Sequence, residues 1–148
     1  MKKFVFIISL VFLTCMGAFS QNFNRVTQII ETAELTNGQA AYFVGSYLGS
    51  VRDNATDEEA FDVLKKEGLF KESAAAADKI KLQDLCALYA KVVQVKGGMM
   101  FTFTKKSARY SFKEFKAKGW LPKNADPSMK VSGVNAMGLF NSVTGGAK

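Results

Sequence analysis

Side chains capable of chemistry are few in this sequence, and their spacing argues against an enzyme. The chain has no histidine, so it lacks the commonest general base and the commonest metal ligand. The densest acidic cluster, Asp57–Glu59 with Asp62, has the spacing of a helix start rather than of a calcium loop. Gly97-Gly98 lacks the lysine and further glycines of a phosphate-binding loop. We therefore predict no catalytic residue, no metal site and no cofactor.

Basic and aromatic residues near the end of the chain are the candidates for binding a partner. Arg109, Tyr110 and Trp120 are suited to stacking on a sugar or holding a ligand. The alternatives are that Trp120 fills the core and that the lysines cover a solvated helix face. The candidate partner-binding residues are Lys105, Lys106, Arg109, Tyr110 and Trp120.

Residues 1–20 have the pattern of a bacterial secretory signal peptide. Two lysines precede the apolar run Phe4–Thr14, and Ala18-Phe19-Ser20 places small residues at the −3 and −1 positions. We predict cleavage after Ser20 and an exported protein, either periplasmic or associated with the cell envelope. A lipid anchor on Cys15 is the rival interpretation, but Thr14 before it is not the usual small residue.

The predicted mature chain of about 128 residues has the size of one domain. Loss of Lys2 and Lys3 lowers its formal charge from +7 to +5, which favours anionic partners such as cell-wall polymers or lipid head groups. Export argues against a nucleic acid. No further segment is apolar enough to cross a membrane, and Cys86, in an apolar helical stretch, is predicted to be buried.

One segment recurs without a gap 51 residues later: Ala60–Val93 matches positions within Tyr110–Val143. Phe61 corresponds to Phe112, Gly68 to Gly119 and Leu69 to Trp120. The pattern of each copy predicts a helix ended by glycine, a polar loop and a second helix. A repeat of this length is typical of an array of small helical units.

Capping signals locate the helix starts and indicate a third, shorter unit. Thr56 with Glu59 has the spacing of a capping box, as does Thr36 with Gln39. Ser132 is a good cap at the matching position of the last unit, whereas Lys81 is not. Val26, Ile29, Ile30 and Ala33 have helical spacing and supply the first helix of the extra unit.

We predict an all-α domain of three helix–loop–helix units, about residues 21–55, 56–106 and 107–148, around one core. Lys96–Lys106 is predicted to be a short helix or an irregular packed segment, and Thr144–Lys148 a frayed tail. The predicted core residues are Ile30, Phe43, Phe61, Leu64, Leu85, Leu88, Val92, Phe112, Phe115, Trp120, Leu139 and Val143.

The layout resembles the S-layer homology domain, whose units pair a glycine-ended helix with an Ile-Thr-Arg-Ala-Glu-like second helix start. The corresponding stretches are Leu35–Gln39, Ile80–Asp84 and Val131–Asn135, and Ala125–Ser128 resembles the loop before the last of them. The resemblance implies a three-unit helical scaffold and an envelope location. In that family the motif arginine helps to bind an anionic wall polymer. The matching positions are not basic; they are Asn37, Leu82 and Gly133.

Together these features predict a non-enzymatic exported envelope protein that binds another envelope component, either a wall polymer or a protein. The alternative is a periplasmic small-ligand or lipid-binding protein. In that case Met99, Met100, Phe101 and Phe103 are expected to line an apolar pocket.

Overall fold

The fold is all-α, as predicted. The computed structural model describes residues 25–146, which form seven helices and no strand. Residues 25–31 are helical and are called α1. The others are α2 (Asn37–Leu48), α3 (Asp57–Lys66), α4 (Leu82–Val92), α5 (Met99–Phe103), α6 (Ala108–Ala117) and α7 (Gly133–Gly146). The predicted signal peptide and Cys15 lie outside the described residues.

The predicted helix starts are confirmed at the atomic level. The Thr36 hydroxyl accepts from the Gln39 amide at 3.1 Å, while the Gln39 side chain accepts from the Thr36 amide at 3.0 Å. Thr56 and Glu59 form the same reciprocal pair at 3.1 and 2.9 Å. Lys81 gives α4 no side-chain cap.

The two copies of the 51-residue repeat end their first helices in the same way. Gly68 and Gly119 have φ of +73° and +75°, a left-handed conformation that suits glycine. The next amides, of Leu69 and Trp120, each donate at 3.0 Å to a carbonyl five residues back. The repeat in sequence is therefore also a repeat in local structure.

The long loops of the two copies are held to their helices by corresponding lysines. Lys65 of α3 donates to the Ala74 carbonyl at 3.1 Å, and Lys116 of α6 donates to the Ala125 carbonyl at 3.2 Å. Each ammonium group also lies over a phenylalanine ring of its own helix, at 5.5 and 5.6 Å. These lysines are therefore part of the scaffold.

Among α2–α7, α2 packs on α3 and α4, α4 packs on α6 and α7, and α5 packs on α6. The amides at the starts of α2, α4 and α7 (Asn37, Leu82 and Gly133) donate to loop carbonyls that are distant in sequence, at 2.8–2.9 Å. At Gly133 a Cβ atom would lie 1.8 Å from the Ile29 carbonyl oxygen, so only glycine allows this approach. The organisation into three units stays a prediction.

Most of the predicted core residues are buried, but α1 and α2 present different side chains from those expected. Ile29 is buried instead of Ile30, and Phe43 is only half-buried. Tyr42 fills the core of α2 because its hydroxyl donates to the Asp53 carbonyl at 2.8 Å, which satisfies its polar group. Val92 and Trp120 are also half-buried and pack against the core.

Two other predictions concern the ends of elements. The expected frayed tail is wrong as far as Gly146, because α7 continues to that residue and the Thr144 hydroxyl donates to the Phe140 carbonyl at 2.9 Å.

The predicted short helix within Lys96–Lys106 is confirmed as α5. Its Met99 and Phe103 side chains are exposed, so they do not enclose the apolar pocket expected of them. None of the helices in residues 25–146 is long and apolar enough to span a bilayer.

Candidate functional site

A strongly charged groove of about 620 Å³ lies between the long loop of the first copy, α4 and the turn before α6. We call it the lysine groove. Seven lysines line it: Lys71, Lys79, Lys81, Lys91, Lys105, Lys106 and Lys130. Two acidic residues, Asp78 and Asp84, also line it, so the groove has a formal excess of five positive charges.

Four of the seven ammonium groups have a partner within the protein. Lys71 forms an ion pair with Asp84 at 2.7 Å. Lys79 and Lys91 each donate to a backbone carbonyl at 3.0 Å, and Lys106 donates to the Gln94 side chain at 3.0 Å. Carbonyl and amide oxygens orient a lysine without cancelling its charge, so only one of the four is neutralised.

The ammonium groups of the other three, Lys81, Lys105 and Lys130, form no hydrogen bond or ion pair with residues 25–146. Three unpaired ammonium groups around one groove attract anions because each offers three donors and a full charge. The groove is open, so small-ion screening weakens but does not remove this field at physiological salt.

The pKa values of two of these lysines are lowered by burial and, for one of them, by a neighbouring positive charge. Burial, and secondarily the charge of Lys71, lowers the pKa of Lys91. Burial alone lowers the pKa of Lys106. A bound anion would offset both effects, because it favours the protonated form of each amine. The groove is therefore electrostatically complementary to a negatively charged ligand.

The backbone beside the groove adopts an unusual conformation. Gln94, Lys105 and Lys106 have φ of +54°, +52° and +56°, in the left-handed region that non-glycine residues rarely occupy. The Lys106 amide donates to the Phe101 carbonyl at 2.9 Å, and Ser111 donates to the Lys106 carbonyl at 2.9 Å. These bonds hold the two lysines at the rim of the groove at some cost in backbone strain.

A second groove, of about 400 Å³, lies at the corresponding place in the second copy. We call it the tryptophan groove. Its lining is largely apolar and includes Trp120, Leu121, Met129, Val134 and Leu139, with Lys130 at the border shared with the lysine groove. The two copies thus present the same kind of concavity with different side chains.

Trp120 packs against the core and also lines a groove; its role in holding a ligand stays a prediction. Its ring packs edge-on against Phe115 with centroids 5.0 Å apart, and Lys118 lies 5.5 Å over it. A Cβ on Gly146 would lie 2.7 Å from the ring, so the end of α7 closes on its other side. The half-buried ring still lines the tryptophan groove.

The five candidate residues do not form one patch. Lys105 and Lys106 belong to the lysine groove and Trp120 to the tryptophan groove. Arg109 is exposed on α6, and Tyr110 is half-buried against the core under Lys113; neither lines a groove.

Five groove lysines are not identified by the sequence pattern because they are dispersed along the chain. A usable signal exists in the repeat: Lys71 and Lys91 correspond to Pro122 and Ser142, so charge is present in one copy only. Comparing the copies position by position would have identified both.

Other reactive groups lie in the interior. Cys86 is fully buried, as predicted, and burial raises the pKa of its thiol, which keeps it protonated. Among residues 25–146 no three His, Cys, Asp or Glu side chains are placed to hold a metal ion.

Comparisons with protein-family models, curated proteins and solved structures found no match. The resemblance to the S-layer homology domain therefore stays a prediction.

Proposed function

We propose that this is a non-enzymatic exported protein that binds an anionic component of the cell envelope through the lysine groove. The observation that carries the proposal is the excess of lysine over aspartate in one concave surface, with Lys81, Lys105 and Lys130 unpaired. Scattered surface lysines would serve solubility equally well. Seven around one groove concentrate the positive potential where a ligand can enter.

We favour an anionic wall polymer over a small anion as the ligand, because the open groove offers several positive charges. Lys81 and Lys130 are paired in an antiparallel backbone bridge, and Lys105 follows α5, so three segments bring their lysines to one groove. Repeated phosphate or carboxylate groups along a polymer can engage them at once. An acidic protein segment is the other extended anion of this kind.

The proposal does not depend on the arginines expected from the S-layer homology resemblance. At the matching positions the Asn37 side chain donates to the Ala75 carbonyl at 2.8 Å, while Leu82 and Gly133 are buried. These residues serve packing and helix starts. The positive charge of the groove comes from other positions, so a polymer would bind differently from the mode that the family implies.

Binding to purified sacculi, to an envelope extract and to heparin-agarose tests the proposal. The exported protein is compared with the triple variant Lys81→Gln/Lys105→Gln/Lys130→Gln. We expect the variant to elute from heparin at clearly lower salt and to lose most of its binding to the envelope component, because unpaired charges contribute most to polyanion affinity.

The matched control removes the same three charges outside the groove, as Arg52→Gln/Lys66→Gln/Lys123→Gln, at exposed positions. It should behave like the parent protein apart from a small general charge effect. Equal weakening of both triple variants would show that net charge rather than the groove attracts anions, and would overturn the proposal.

The tryptophan groove supports a second candidate function, the binding of a small apolar ligand or lipid. Its volume of about 400 Å³ lies in the range of ligand sites, and apolar side chains dominate its lining. Trp120 is the only tryptophan in the chain, so its fluorescence reports directly on this groove. A ligand that co-purifies with the exported protein and alters this emission would support the function; emission unchanged by delipidation would contradict it.

A further inference from the structure

The exposed face of α5 is an apolar feature that the two grooves leave unexplained. Met99 is 85% exposed, Phe103 80% and Met100 50%, all within one five-residue helix. We call these three side chains the α5 ridge. Single exposed apolar residues are common, but three large ones together usually mark an interaction surface.

The ridge projects from the domain and does not line a groove. Among the helices α5 packs only on α6, and it is anchored by Phe101, which is 2% exposed. The Lys106 amide bonds the Phe101 carbonyl at 2.9 Å and fixes the end of the helix. Because one side of α5 is anchored in the core, its exposed apolar side chains can enter an apolar medium without a rearrangement of the backbone.

The charge around the ridge is predominantly positive. Residues 85–113 contain six basic residues and no acidic one. The nearest acid is Glu114, whose carboxylate accepts from the Gly98 amide at 3.3 Å and lies 3.6 Å from the Lys118 ammonium. Lys96, Lys105 and Arg109 are exposed on either side of the ridge in sequence.

We propose that the α5 ridge inserts into the interfacial region of an anionic phospholipid bilayer, with the flanking basic residues on the lipid head groups. Projecting methionine and phenylalanine side chains suit the boundary between head groups and acyl chains. Exposed lysine and arginine match the negative charge of the leaflet. The ridge residues line neither groove, and of the flanking basic residues only Lys105 also belongs to the lysine groove, so the variants below change Lys96 and Arg109 instead.

Flotation with lipid vesicles tests the proposal on the exported protein, purified from cells that produce the full chain. One vesicle set is phosphatidylcholine, and the other also contains phosphatidylglycerol. We expect flotation with the anionic set only. Met99→Ser/Phe103→Ser should lower partitioning by at least about tenfold, because two apolar side chains no longer leave water. Lys96→Gln/Arg109→Gln should lower it by about fivefold per charge.

Leu48→Ser is the matched control, since Leu48 is an exposed apolar residue at the end of α2. It should float like the parent protein. Circular dichroism checks that each variant is folded. Equal flotation of the ridge variant and the parent, or no flotation with anionic vesicles, would overturn the proposal. If the ridge variant lost a protein partner and lipid binding were absent, the ridge would be a protein-docking surface instead.

A labelling measurement adds a direct readout of insertion. Cys86 is buried, so Phe103→Cys introduces a selective site for an environment-sensitive dye. The dye emission should shift to the blue with anionic vesicles, and the same dye on Leu48→Cys should not shift. A blue shift at both positions, or at neither, would contradict insertion through α5.

Discussion

The lysine groove and the tryptophan groove have corresponding positions in the two copies of the repeat, and they differ mainly in charge. Both contain the loop that follows a left-handed glycine and the first turns of the next helix. At 51-residue offsets, four charged residues of the first groove are replaced by neutral residues in the second: Lys71 by Pro122, Asp78 by Met129, Asp84 by Asn135 and Lys91 by Ser142. Lys79 corresponds to Lys130, so that charge is kept.

The copies share scaffold contacts and differ in part of their groove lining. Positions such as Lys65 and Lys116 are alike and have matching contacts. The grooves contain positions that differ, such as Lys71 with Pro122, as well as positions that are alike, such as Ala74 with Ala125. A repeat can therefore keep one backbone while its concave surfaces diverge to suit different ligands.

The shared scaffold can be broken most severely at Phe115, which is fully buried and corresponds to Leu64, also fully buried. Phe115→Ala should lower the free energy of unfolding by about 3–5 kcal/mol, because it leaves a large cavity. Denaturant unfolding followed by circular dichroism measures this. Phe103→Ala makes the same chemical change at an exposed residue and should cost less than about 0.5 kcal/mol. Similar losses for both would contradict the assigned core.

A smaller effect is expected at the capping box of α3. Thr56→Ala removes the acceptor of the Glu59 amide and should cost about 1 kcal/mol. Thr56→Ser keeps the hydroxyl and should retain most of the stability. Thermal unfolding of the two variants provides the comparison, and an alanine variant as stable as the parent would show that the cap contributes nothing.

The grooves can be made more alike by Asp84→Asn, which introduces the residue type found at Asn135. This change releases Lys71 from its ion pair and should raise affinity for heparin about two- to fivefold, the effect of one exposed charge pair. Asp62→Asn on α3 makes the same charge change outside the groove. If both variants gained equally, the ion pair would have no local role.

The smallest expected effect is the change of anion affinity with pH. The pKa values of Lys91 and Lys106 are lowered, so these two amines lose their charge at lower pH than an ordinary lysine does. Affinity should therefore decline as pH rises above neutral and these two ammonium groups lose their protons. Lys91→Gln should flatten the early part of this decline in isothermal titration calorimetry. An affinity that rose with pH would contradict the assignment.

Much of the fold could be predicted from local signals. Thr36, Thr56 and Gly68 specify helix ends through interactions within a few residues, and the sequence shows them directly. The burial of Tyr42 rather than Phe43 could not be predicted, since it depends on a hydroxyl partner at Asp53 across a loop. Local pattern does not reveal such distant partners.

The candidate site was predictable only in part for the same reason. Lys105 and Lys106 are adjacent in sequence, so the sequence alone shows them as a basic cluster. Lys71, Lys91 and Lys130 reach the same groove from three segments, and only the packing of the helices brings them together. The exposure of Met99 and Phe103 was not predicted either, because apolar residues on a short helix usually pack against the core.

The most direct test of the proposed functional difference between the grooves is amide chemical-shift mapping while a soluble anionic polymer is added to the protein. We predict shifts at the lysine groove, including Lys81, Lys91 and Lys105, and little change around Trp120 and Val134. Shifts centred on the tryptophan groove, or spread evenly over both copies, would contradict the claim that one repeat copy carries the anion-binding surface.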